Sequence, residues 1–259
     1  MNGVIEIMLK NYEIFLLVLI RTSGIFFISP FFSSQNVPNT IKIGFSMMIS
    51  LLLAVVLDTD ANFTNTGFML LVFKELMVGV IIGFIGYVFS ATFYIMGQII
   101  DMKIGFGMVN VMDPQHRIQV PIMGNFYYIL AFLILLSING HHSIINALVD
   151  SYEFIPIGEF IFNRDIMDVL VNLLSETFII GFRLSIPVVA IIFLTDLLLG
   201  MLARAIPQMN VFMVGMPLKI LIGFVIIGIS IPLFYSIVVG MHNSMVEKIY
   251  IFLKLHIKG

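Results

Sequence analysis

The sequence predicts an all-α, polytopic helical membrane protein. Three observations predict it: an apolar excess, apolar runs of spanning length, and no alternation within those runs. Hydrophobic residues make up 60% of the 259-residue chain and charged residues 11%. Soluble domains carry about 45–50% apolar and about 25% charged residues. A soluble fold of this size could not bury that excess, so lipid or an equally apolar protein partner must cover it. A spanning helix needs about 20 largely apolar residues. Six stretches qualify: 12–32, 41–57, 67–100, 121–138, 178–202 and 218–239. Their apolar residues run continuously, which excludes the alternating strands of a membrane β-barrel.

Glu6, Lys10 and Glu13 interrupt the early residues and no small-residue cleavage site follows, so the first stretch reads as a retained helix rather than a signal peptide. It carries Arg21. The second is short and ends at a polar turn, 58–66 (DTDANFTNT). The third contains Lys74 and Glu75, then 25 uncharged residues over 76–100. Gly79, Gly83, Gly86, Ser90 and Gly97 form a stripe of small residues on its face, spaced by three, four and seven. Such a stripe lets helix backbones approach closely. The sixth stretch is uncharged from 220 to 241. Residues 58–66, 101–120 and 139–175 read as structured connections, the last with an amphipathic piece over 161–174, and the tail 241–259 reads as amphipathic. Without repeats or low-complexity segments, residues 1–259 read as one domain.

The fifth stretch is marginal in lipid. Between Ile179 and Leu202 it has 15 Leu, Ile, Phe or Val residues. Together they favour insertion by about 7 kcal/mol, while Arg183 and Asp196 cost about 6 kcal/mol at a helix centre. Such a helix is safer with protein around it. Orientation by the Lys/Arg bias is undecided for six spans: Lys10, Arg164, Lys248, Lys254 and Lys258 balance Lys42, Lys103, Arg117, Arg204 and Lys219. Either one span is misassigned, or the chain is not a simple bundle across a flat bilayer. Arg21, Lys74 and Glu75 inside apolar segments allow two readings. One is a polar conduit or an inter-subunit ion pair; the other is an internal salt bridge or a snorkelling side chain. Asp196 and Arg204 are two turns apart and each needs its own partner or water.

No catalytic constellation stands out: HExxH, GxSxG and GxxxxGK[ST] are all missing. His141 and His142 are adjacent, a poor metal pair that reads as polar loop histidines. Gly105-Phe106-Gly107 is too short for a dinucleotide fingerprint and suits a backbone bend. A net charge of −2 gives no case for nucleic acid, and there is no cysteine for a disulfide or thiolate metal site. A non-enzyme without cofactor or metal is expected.

Residues 97–121, GQIIDMKIGFGMVNVMDPQHRIQVP, resemble the middle of the FliR family of flagellar export proteins. The shared G-Q-x-x-D-x-x-x-G-F-G-M and D-P positions are Gly97, Gln98, Asp101, Gly105, Phe106, Gly107, Met108, Asp113 and Pro114. Residues 196–217, DLLLGMLARAIPQMNVFMVGMP, are similar to the family's D-x-x-x-G-x-x-x-R-x-x-P-Q-x-N-x-F segment through Asp196, Gly200, Arg204, Pro207, Gln208, Asn210 and Phe212. Weaker likenesses lie at Arg21-Thr22-Ser23-Gly24 with Pro30 and Val37-Pro38, and at Asn139-Gly140-His141 with Ser151, Pro156 and Gly158. Residues 136–138 depart from the family by lacking bulky aromatics. The virulence-type secretion family shares the architecture; the complete P-Q-x-N-x-F segment favours the flagellar branch.

The resemblance implies a non-catalytic subunit of the flagellar type III export gate, in the bacterial plasma membrane at the basal body. It implies assembly with FliP and FliQ, joined by FlhB, around a channel for unfolded flagellar subunits. It implies helices drawn partly out of the bilayer plane, and a loop at about 105–120 that plugs the closed pore through Gly105, Phe106, Gly107, Met108, Met112, Asp113 and Pro114. Glycine turns, adaptable methionines and the stiff Asp113-Pro114 suit that task. The residues alone also allow an ordinary structured loop. A competing reading is a small-solute transporter using Arg21, Lys74, Glu75, Arg183 and Asp196, although no internal symmetry accompanies it.

Overall fold

A computed structural model describes residues 2–30, 32, 38–57, 67–106, 121–208 and 210–255, with the backbone alone at 2–11, 211 and 212. The described secondary structure is helical throughout: α1 (Asn2–Ile28), α2 (Asn39–Val56), α3 (Phe68–Ile104), α4 (Ile122–Ser137), α5 (Gly140–Phe154), α6 (Arg164–Ala205) and α7 (Val211–Leu255). The helices start and stop for local reasons. Pro38 and Pro121 immediately precede α2 and α4, where a missing N–H costs nothing. Gly105, at φ 102°, ends α3 by taking the left-handed conformation open to glycine. Asn139, at φ 57°, sits at the 70° bend between α4 and α5. The Asn163 side chain accepts from the Ile166 N–H at the start of α6, and Asn210 does the same for Met213 in α7.

Four helical segments are each long and apolar enough to cross a membrane: α2, α3, α6 and Met213–Leu255 of α7. The bent α4–α5 pair makes five if it is one span. The chain is a polytopic helical membrane protein. One connection differs from the sequence reading. Residues 139–175 are largely helical, forming α5 and the first turns of α6. Ile144, Ala147, Leu148, Ser151 and Tyr152 are all buried, so this polar-looking stretch is amphipathic at helical spacing. His141 and His142 therefore lie in the first turn of α5, with ring centroids 4.3 Å apart, and not in a loop. The described part of the amphipathic tail, as far as Leu255, is the end of α7.

Packing divides the chain into two compact units: Met1–Val88 with Asn139–Leu173 and His242–Gly259, and Phe89–Ile138 with Leu174–Met241. In the first, Leu17, Val18 and Ile25 of α1 are buried, as are Val78, Ile82 and Ile85 of α3, Ile144 and Leu148 of α5, and Ile249 and Phe252 of α7. In the second, Phe93, Ile100, Met123, Tyr127, Ile192 and Phe234 are buried, and the Phe234 ring meets those of Phe93 and Tyr127 at 5.5 and 5.1 Å.

Much of the described exterior is apolar. On α2 the buried positions include Lys42, Ser46 and Ser50, while Val55 and Val56 are 80% and 77% exposed. Only 22% of the apolar span window of α6, and of α7, is buried. Water would not tolerate such surfaces; lipid or apolar protein does.

Candidate functional site

The polar residues inside the apolar helices form two built arrangements, one in each unit. The first centres on Arg21, fully buried on α1. Its Nε donates to Glu75 Oε2 at 2.7 Å, and Glu75 is also fully buried. One terminal nitrogen donates to the Ser151 carbonyl and hydroxyl at 3.1 and 3.0 Å, and the other to the Ile155 carbonyl at 3.0 Å. The guanidinium lies 4.1 Å from the centre of the Tyr152 ring. The backbone makes room for it: a Cβ built on Gly79 of α3 would land on the Arg21 carbonyl oxygen, and one on Gly83 would meet Ile28 Cβ at 3.0 Å. These glycines let α1 and α3 approach closely enough for the ion pair to close.

Glu75 Oε1 accepts the Gly158 N–H at 2.8 Å, and Lys74 Nζ donates to the Gly158 carbonyl at 2.9 Å. Adjacent side chains of α3 thus hold both polar atoms of Gly158, whose φ of 82° favours glycine. Arg21, Lys74 and Glu75 therefore find partners within the chain. A buried pair of this kind holds because every strong donor is met; removing one member strands the other.

The second arrangement flanks the central segment 107–120. Asp101, in the last turn of α3 and 5% exposed, accepts the Met123 N–H at 3.0 Å and the Gly124 N–H at 3.3 Å. These are orphan donors at the start of α4, where a carboxylate also meets the favourable end of the helix dipole. A Cβ on Gly97 would fall on the Gly124 backbone, so α3 and α4 touch there. Phe106 sets its ring 6.2 Å from that of Phe224 in α7. Asp101 thus ties together the two helices from which the central segment departs. Of the plug residues expected from sequence, Gly105 and Phe106 belong to this stem; Gly107, Met108, Met112, Asp113 and Pro114 lie outside the described residues.

The other charges expected at the site, Arg183, Asp196 and Arg204, lie in the second unit. Asp196 pairs with Lys219 of α7. Arg183, Arg204, Gln208 and Asn210 are exposed, Arg204 in the last turn of α6 where a cation suits the helix dipole. In the small-residue stripe, Gly86 faces Pro30 and Ser29, and Ser90 is 8% exposed. Sequence reasoning missed Ser151 and Ile155 as partners of Arg21, and Lys219 as the partner of Asp196. Among the described residues no group of three His, Cys, Asp or Glu could hold a metal ion.

Comparisons with known proteins assign this architecture. The family described as bacterial export proteins, family 1, matches residues 12–245. The flagellar biosynthetic protein FliR of Bacillus subtilis (strain 168) is 36% identical over 251 residues, covering 95% of each chain. That of Aquifex aeolicus (strain VF5) is 30% identical over 84% of this chain and 85% of its own, and that of Escherichia coli (strain K12) is 29% identical over 83% of each. The match runs through both buried polar arrangements and all of α2 to α6, and the chain belongs to the bacterial export proteins of family 1, the family of the flagellar biosynthetic protein FliR.

Proposed function

We propose that this chain is a non-catalytic subunit of the flagellar type III export gate in the bacterial plasma membrane, at the flagellar basal body. It assembles with homologues of FliP and FliQ, with FlhB joining them, around a channel through which unfolded flagellar subunits leave the cytoplasm. The observation that carries this reading is the likeness to the Bacillus subtilis flagellar protein over 95% of both chains. The apolar exterior supports it, since a gate subunit must present such surface to neighbours as well as to lipid.

The central segment at 105–120 acts as a plug in the closed channel. Its support is the stem: Asp101 bridging to α4 and Phe106 resting against Phe224 give the segment two fixed ends. Between them, Met108 and Met112 supply flexible apolar packing that can re-form around a passing chain. Deleting the gene abolishes filament assembly, and the intact gene restores it. Shortening residues 107–118 leaves the assembly intact but makes the closed channel leaky to ions or small solutes. Unchanged leakage from an assembled complex removes the sealing role. Filaments in the deletion strain remove the export role.

A further inference from the structure

Helix α6 cannot cross a bilayer without taking a charge into the hydrocarbon. Its 42 residues are about 63 Å long at about 1.5 Å per residue. The longest uncharged stretch, between Arg183 and Asp196, has 12 residues, or about 18 Å. A hydrocarbon core is about 30 Å thick and takes about 20 residues. Every window of that length within α6 includes Arg183 or Asp196.

The two residues are provided for differently. Asp196 has Lys219 of α7 as its ion-pair partner. Arg183 is exposed and has no partner among the described residues. The helix is interrupted close by as well. Pro187 lies inside α6, four residues on, and has no N–H to give to the Arg183 carbonyl. One exposed position therefore offers a charged donor fork beside a helix turn that Pro187 interrupts. Its surroundings are apolar: Ile179 and Ile186, a turn to either side, are 48% and 45% exposed. Beyond them Pro187 and Ala190 are exposed and small, so a second backbone could come close.

We propose that this face of α6 is a docking surface for a helix of another export-gate subunit, one that brings a carboxylate to Arg183. The inference rests on the gate reading above. Charge complementarity decides the occupant. A carboxylate meets the guanidinium fork in bidentate geometry and neutralises a charge that lipid tails cannot. A lipid phosphate stays at headgroup level, whereas a carboxylate on a neighbouring helix can meet the charge within the hydrocarbon.

The test uses the full chain expressed with its native partner subunits and purified from membranes. Arg183→Glu should lower the yield of identified complex by about tenfold or more, since like charges facing each other at an interface cost heavily. Arg183→Lys should retain most of the yield. Arg183→Met should leave the chain at its normal level in the membrane while weakening assembly, which separates a docking defect from a folding one. Motile revertants of Arg183→Glu should carry a charge-reversing or neutralising change at an Asp or Glu in a membrane helix of another gate subunit. Wild-type yield of complex from Arg183→Glu overturns the inference, as do revertants confined to this chain. Loss of bound phospholipid in native mass spectra, with subunit composition unchanged, overturns it in favour of a lipid site. Failure of the wild-type chain to copurify with other flagellar subunits would strike the gate reading itself and is a distinguishable result.

Discussion

Removing the Glu75 carboxylate tests the reasoning about the buried pair most sharply. Glu75 accepts from Arg21 Nε at 2.7 Å and from the Gly158 N–H at 2.8 Å, and both charged side chains are fully buried. Glu75→Ala would leave a guanidinium in an apolar core with its counter-ion gone, a loss of about 3–5 kcal/mol. Glu75→Gln is no rescue. An amide has one acceptor oxygen, so either orientation sets its NH2 against a donor, at about 1–3 kcal/mol. Changing both partners, Arg21→Met with Glu75→Leu, removes the stranded charge and should cost less than Glu75→Ala alone. The assay is thermal unfolding of the purified protein in detergent, with membrane abundance as a check. At about 2–4 °C per kcal/mol for a chain of this size, Glu75→Ala should lower the midpoint by at least about 6 °C. A midpoint within a degree of wild type, or a double variant whose loss equals the sum of the singles, would refute the argument.

Other perturbations follow from the same geometry. Gly79→Ala and Gly97→Ala each drive a methyl group into another helix's backbone and should cost about 1–3 kcal/mol. Gly44→Ala has open space and should be neutral or gain up to about 1 kcal/mol from helix propensity; equal effects at all three positions would contradict the packing account. Asp101→Ala should cost about 0.5–2 kcal/mol and speed hydrogen exchange at Met123 and Gly124, with Asp101→Asn milder, because it strips the start of α4 of its acceptor. Unchanged exchange there would sink the stem argument. Asp196→Ala leaves Lys219 without its counter-ion and should impair assembly of the complex more than its conductance; normal complex yield would tell against that.

The fold class was legible in the sequence because lipid imposes long uninterrupted apolar runs, as in 76–100. The stripe from Gly79 to Gly97 marked one face of α3 by spacing alone, but which helices meet it depends on tertiary packing. Residues 139–175 hid their helices because Asn139, His141, His142, Ser143 and Asp150 dilute the apolar signal to one stripe along α5. The charge partners were not legible. Arg21 and Glu75 are 54 residues apart and Arg21 and Ile155 are 134 apart, and no local pattern encodes such a meeting. Asp101 stood out as part of a family motif, yet its role at the start of α4 appears only when the chain returns across the central segment.

Purifying the chain from its native membrane in mild detergent, then identifying and counting every copurifying subunit, bears most directly on the central claim. The account predicts a defined complex containing FliP and FliQ homologues, with the apolar faces of α6 and α7 covered by them. A stable monomer purified without either homologue, and active in solute uptake when reconstituted alone, would contradict it.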